Sequence, residues 1–116
     1  MIIKNENEIF TDSFGLWVSG LFSAISGHIP EVSFDEQKDI FFTLLTNWMN
    51  EGKVFFCSPE GPLETFWDAE NDEIISYLKR LWPESVTSEL DSDLNLYFYE
   101  IPAIVWVGPG GTFIGS

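Results

Sequence analysis

The sequence predicts an α+β domain in which three helices pack on a small antiparallel sheet. Three stretches have apolar residues at helical spacing, and the last third of the chain has strand-like patterns with a glycine-rich turn. Helices followed by a terminal run of strands are typical of this class. The 116 residues fit a single domain, 1–116, with enough length to bury a core.

The first two helices are predicted from apolar periodicity and from residues that begin or end helices. The first spans about Asp12 to Ser26, where apolar side chains recur every three or four positions. The second begins after Ser33, which forms a capping-box pattern with Glu36, and Gly52 is its predicted stop.

A short strand and a third helix follow in the middle of the chain. Lys53 to Cys57 is typical of a strand, and Pro59 to Pro62 breaks the chain. The third helix runs from about Asp68 or Asn71 to Trp82, and Pro83 stops it.

The last third predicts a meander of about three strands, which the strand near Val54 can join. Leucine and phenylalanine alternate with other residues from Leu94 to Tyr99, a period-two pattern that favours a half-buried strand. Ala103 to Val107 is apolar on both faces and is predicted to be central in the sheet. After the turn at residues 108–111, Thr112 to Ile114 returns as a strand.

The chain carries a net charge of −14, with 19 acidic residues and five basic ones. Such an excess repels itself and lowers the stability of the compact state, so it favours a use in recognising a basic partner. Direct nucleic-acid binding is disfavoured because phosphates are neutralised by Lys and Arg. The high aromatic content distinguishes this chain from disordered acidic tails.

No residue pattern predicts an enzyme, a metal site or a cofactor. Cys57 and His28 are single residues of their type, and no spacing places a nucleophile beside His28. Asp91 opens a calcium-loop pattern that fails where glycine and glutamate are required, at Leu96 and Pro102. The lone cysteine indicates a reducing compartment, and the stretch from Phe14 to Ile25 is too short for a membrane span. We therefore expect a cytoplasmic protein without a membrane partner.

The distribution of charge predicts where a basic protein partner binds. Between Val54 and Leu78 there are six acidic residues and no basic ones, and no basic residue follows Arg80. Aromatic side chains stand among these acids, and such side chains are favoured at binding hot spots. The predicted partner-binding residues are Glu60, Glu64, Trp67, Asp68, Glu70, Asp72, Glu73, Asp91, Asp93, Tyr97 and Tyr99.

Two segments carry a resemblance to known proteins. They are Phe66-Trp67-Asp68-Ala69 with the helix up to Trp82-Pro83, and the ending from Tyr97 to Gly108. In these segments the chain resembles a family of small acidic bacterial proteins, some of which are similar to immunity proteins of contact-dependent growth inhibition systems. The resemblance implies binding to a cognate toxin domain, often a nuclease, and inhibition of that toxin.

Three other functions are compatible with the same composition. The first is a DNA mimic that inhibits a nucleic-acid-binding protein, which predicts carboxylates in phosphate-like rows. The second is an enzyme that uses a pair of carboxylates in a deep pocket. The third is an acidic scaffold subunit whose exposed aromatic residues form a homo-oligomer. The sequence does not determine the oligomeric state.

Overall fold

In the described part of the sequence, three α-helices precede the first strand and two follow it. The computed structural model describes residues 3, 5–59 and 66–115. The helices in this part of the chain are α1 (Glu6–Ser13), α2 (Val18–His28), α3 (Phe34–Asn50), α4 (Asn71–Arg80) and α5 (Ser92–Glu100). The strands are β1 (Val54–Phe56), β2 (Ile104–Val107) and β3 (Phe113–Gly115). The α+β class is confirmed, but the described residues form five α-helices where three were predicted.

The single helix predicted from about Asp12 to Ser26 is wrong, because the chain turns between α1 and α2. Gly15 has a φ of +82°, a left-handed conformation that glycine adopts readily. The turn leaves Leu16 and Trp17 about half exposed. The indole N–H of Trp106 donates a hydrogen bond to the carbonyl oxygen of Leu16 (2.9 Å), which holds the turn against the sheet.

Helix α3 begins and ends as the sequence predicts. The Ser33 hydroxyl accepts a hydrogen bond from the Glu36 backbone N–H, and the Glu36 carboxylate accepts one from the Ser33 backbone N–H, both at 3.1 Å. The bond from the Ser33 backbone is the main reason that the pKa of Glu36 lies below its ordinary value. Gly52, with a φ of +73°, follows the helix end and lets the chain turn into β1.

The sheet has the order β1-β2-β3, and both strand pairs are antiparallel. The prediction that the segment before Gly108 supplies a central strand is confirmed, and the strand near Val54 does join the same sheet. In the register, Val54 lies opposite Trp106, which lies opposite Ile114. These residues share the face that packs on the helices.

The predicted strand from Leu94 to Tyr99 is wrong, because this segment forms α5. The Asp91 carboxylate accepts a hydrogen bond from the Asp93 backbone N–H (2.9 Å) and caps the helix start. The buried residues are Leu94, Tyr97, Phe98 and Ile101, which follow helical rather than alternating spacing. Leu96, which a strand would bury with Leu94, is 54% exposed.

Aromatic rings form much of the core between the helices and the sheet. Trp48 of α3 and Trp106 of β2 are fully buried, with ring centroids 6.0 Å apart. Phe10 of α1 contacts both rings edge-on, at 5.0 Å from Trp48 and 5.6 Å from Trp106. This cluster connects three elements and provides a rigid support for the surfaces described below.

Candidate partner-binding surface

Helix α4 places two adjacent carboxylates at its exposed start. Asp72 and Glu73 lie in its first turn, where the helix dipole favours negative charge. Ile74, Ile75 and Leu78 are buried, so α4 packs one face on the core and presents the other to solvent. The Asn71 side-chain amide donates to the Asn50 side-chain oxygen (3.0 Å), which ties the start of α4 to the end of α3.

Trp67 is held between the sheet and α4. Its backbone N–H donates a hydrogen bond to the carbonyl oxygen of Phe56 (2.9 Å), at the edge of the sheet. Its ring meets Tyr77 of α4 edge-on, with centroids 4.9 Å apart and planes at 90°. The indole is half-buried, so part of it is fixed by packing and part is open to a partner.

An open groove of about 420 Å³ brings three of the predicted residues together. Trp67, Asp72 and Glu73 line it, together with Ala69, Ser76, Tyr77 and Arg80. We call it the α4 groove. Two further predicted residues, Asp68 and Glu70, are exposed on the segment that leads into α4. Among the described residues, none of these four carboxylates is in an ion pair.

Sequence reasoning missed Tyr77 and Arg80 as parts of this surface. The Arg80 guanidinium lies over the Tyr77 ring, 5.4 Å from its centroid. The i, i+3 spacing of the two residues on a predicted helix is the signal that could have paired them. Lys79 instead lines a different groove, between α3 and α4, with Lys38 and Asp39. Arg80 is thus the one base that lines the α4 groove among the described residues.

The structure places the other predicted residues elsewhere. Asp91 and Asp93 lie at the start of α5 and do not line the α4 groove; Asp91 serves as the helix cap. Glu60 and Glu64 lie outside the described residues. Glu89, one of the acidic residues after Arg80, is engaged within the protein. Its carboxylate accepts hydrogen bonds from the hydroxyls of Ser23 (3.1 Å) and Ser26 (2.9 Å).

The assignment of Tyr97 to the binding surface is corrected by its burial. Tyr97 is 4% exposed, and its hydroxyl donates a hydrogen bond to the carbonyl oxygen of Leu78 (2.6 Å). Burial raises the pKa of the Tyr97 hydroxyl well above its ordinary value. Tyr97 joins α5 to α4 within the core and is not available to a partner.

Tyr99 is exposed and forms a separate aromatic pair with Trp17. Tyr99 is 74% exposed, Trp17 is 51% exposed, and their ring centroids lie 5.6 Å apart. Both line a groove of about 470 Å³ between the start of α2 and the end of α5. Trp17 was missed because it belongs to the apolar residues at helical spacing in the predicted first helix, a pattern that indicates burial.

The chemistry of the α4 groove suits a cation more than a reaction. Carboxylates attract ammonium and guanidinium groups, and the half-buried Trp67 offers aromatic surface to such groups, while the Tyr77 ring already holds the Arg80 guanidinium. In residues 3, 5–59 and 66–115, no three His, Cys, Asp or Glu side chains converge as metal ligands would. No helix in that same part of the chain is long and apolar enough to span a bilayer.

Comparison with known proteins gives a likeness of fold. No protein-family model matches the chain. No curated protein matches it either. A solved structure of an uncharacterized protein conserved in bacteria, from Neisseria meningitidis, is similar, with a TM-score of 0.72 and 20% sequence identity. The likeness covers 94% of this chain and 84% of that one. At this identity it shows a shared fold.

Proposed function

We propose that this chain is an immunity or inhibitor protein that binds a basic toxin domain and occludes it. The observation that carries the proposal is the α4 groove, where Trp67 and Tyr77 lie beside Asp72 and Glu73, two carboxylates without an ion-pair partner among the described residues. The net charge of −14 supports a basic partner. The resemblance in the segments around Trp67 and Tyr97 points to the toxin class.

Charge and aromatic surface have different roles in such an interface. The carboxylates of Asp72 and Glu73 steer a basic partner to the groove and raise the association rate, up to about 10⁸–10⁹ M⁻¹s⁻¹ at low salt. Exposed rim charges add little to the affinity itself. Tight binding depends on the desolvated centre, which Trp67 and Tyr77 supply.

A nuclease is the toxin activity that fits this charge best. Enzymes that grip a phosphate backbone use Lys and Arg to neutralise it. An acidic inhibitor can engage the same cations and so block access of the nucleic acid. Inhibition then requires only binding, with no catalytic group on the inhibitor.

The test looks for a toxin domain encoded beside this chain in the genome and pairs the two proteins. We expect the two to co-purify and the chain to restore growth of cells that produce the toxin. The variant D72K/E73K should lose this protection. The matched control E8K/D35K reverses an equal number of exposed first-turn acids on α1 and α3, and it should retain protection.

Two results would overturn the proposal. One is a genome with no toxin gene beside this one. The other is a toxin domain that neither binds the chain at ~1 µM, which corresponds to about −8 kcal/mol, nor loses activity in its presence.

A further inference from the structure

Three phenylalanine rings form an exposed cluster on the outer face of the sheet. Phe55 of β1 and Phe66 stack nearly parallel, with centroids 5.6 Å apart and planes at 9°. Phe113 of β3 meets Phe66 edge-on at 5.0 Å and Phe55 at 6.2 Å. The three side chains are 38%, 43% and 54% exposed, in the order Phe55, Phe66 and Phe113. We call this cluster the phenylalanine face.

The strand register shows that the outer-face residues of β1, β2 and β3 carry no charge. Phe55 lies opposite Val105, which lies opposite Gly115, and Val107 lies opposite Phe113. Because side chains alternate between the two faces of a sheet, these five residues share the outer face. Val105 is 7% exposed, yet it does not belong to the core cluster on the other side of the sheet.

A contiguous apolar surface of this kind favours an interaction site. From their exposed fractions, the three rings present roughly 200–340 Å² to solvent, taking about 150–250 Å² for each whole side chain. Covering them with apolar surface is favourable by about 25 cal/mol per Å². The three rings already contact one another, so little side-chain freedom is left to lose on binding.

We propose that a second copy of this chain packs on the phenylalanine face, in a weak and reversible two-fold dimer. Two molecules of charge −14 repel each other through most of their surface. The outer-face residues of the three strands bring no charge into such a contact. A two-fold axis places the same patch of both copies against each other, with the sheets about 10 Å apart.

The small area of the face limits the strength of this association. Two copies of the ring cluster bury roughly 400–700 Å² in total, below the about 1,200–2,000 Å² of stable interfaces. The expected dissociation constant therefore lies between roughly 1 µM and 1 mM. The dimer does not depend on the toxin proposal, because no residue of the α4 groove takes part.

The test is sedimentation velocity of the whole chain over concentrations from about 10 µM to about 1 mM, which reach the expected dissociation constant, at about 50 mM and about 500 mM NaCl. Screening lengths fall from roughly 14 Å to 4 Å between these conditions. We expect the dimer fraction to rise with concentration and to rise further with salt, since salt weakens the repulsion between copies. F113A should weaken dimerisation at least 10-fold.

The matched control is L96A, which truncates a side chain of the same 54% exposure on α5 and should leave dimerisation unchanged. F55T is a second variant on the face, with a residue that strands tolerate. Circular dichroism confirms that each variant is folded. A chain that stays monomeric throughout, dimerisation that falls with salt, or equal weakening by L96A and F113A would each overturn the proposal.

Discussion

The α4 groove and the phenylalanine face are both aromatic and both open to solvent, but they differ in charge. Carboxylates accompany Trp67 in the groove, whereas the sheet residues around Phe55 and Phe113 are uncharged. Phe66 and Trp67 are neighbours in sequence, yet their rings belong to different clusters. The comparison teaches that two aromatic surfaces of one molecule can differ in the charge beside them, and the two proposals assign them different partners for that reason.

Removing the aromatic centre of the α4 groove should have the largest effect. We expect W67A to weaken binding of the toxin domain at least about 30-fold, or about 2 kcal/mol, mostly through faster dissociation. The measurement is surface plasmon resonance on folded variants. W17A, which truncates an exposed tryptophan outside the groove, should change the affinity less than about threefold. Equal effects would show that the groove is not the centre of the interface.

Salt should act on the two regions in opposite directions. Between about 50 mM and 500 mM NaCl, we expect association with the toxin domain to slow at least about 10-fold, because steering by carboxylates is screened. Over the same range, self-association through the phenylalanine face should strengthen. Stopped-flow fluorescence measures the first effect and sedimentation the second. If salt strengthened both associations or weakened both, the proposed difference in charge between the two binding surfaces would be contradicted.

A smaller effect should show that Tyr97 supports the fold and not the groove. Y97F removes the hydroxyl that donates to the Leu78 carbonyl and leaves that buried acceptor unpaired. We expect the free energy of unfolding to fall by about 1–2 kcal/mol, measured by urea denaturation, with toxin binding unchanged. Y99F, at a 74% exposed position, is the control and should change stability by less than about 0.5 kcal/mol.

The pH dependence of stability gives Tyr97 a second signature. Since burial raises the pKa of its hydroxyl in the folded state, the unfolded chain gives up this proton at lower pH. The contribution of the protonated Tyr97 hydroxyl to the free energy of unfolding is therefore fully present below about pH 10 and is lost as the pH rises further. The alkaline loss of stability should be shallower in Y97F than in the wild type. Identical profiles would place Tyr97 outside this linkage.

Local signals predicted the parts of the fold that local interactions specify. The Ser33–Glu36 capping box located α3, and the apolar stretch before Gly108 indicated the central strand. The segment from Leu94 to Tyr99 was ambiguous, since Leu94 and Phe98 fit both a period of two and a helical spacing. The helix cap at Asp91 and burial of Tyr97 against α4 decide in favour of the helix.

The sequence predicted several residues of the candidate site, but it did not predict which of them lie together. Trp67, Asp72 and Glu73 were named from the charge pattern, and the structure brings them into one groove. The contact between Trp67 and Tyr77 depends on how the segment before α4 lies against the sheet, which sequence periodicity does not encode. The phenylalanine face depends in the same way on strand register, because it combines residues from distant parts of the chain.

The most direct test of the central claim compares two variants of equal charge in their association rate with the toxin domain. D72N/E73Q neutralises two first-turn acids in the α4 groove, and E8Q/D35N neutralises two first-turn acids on α1 and α3. Each change takes the net charge from −14 to −12 by removing two carboxylates. We expect the groove pair to slow association about 5–10-fold at low salt and the control pair less than about twofold. Equal rates in the two variants would contradict the claim that the charge at the α4 groove directs recognition.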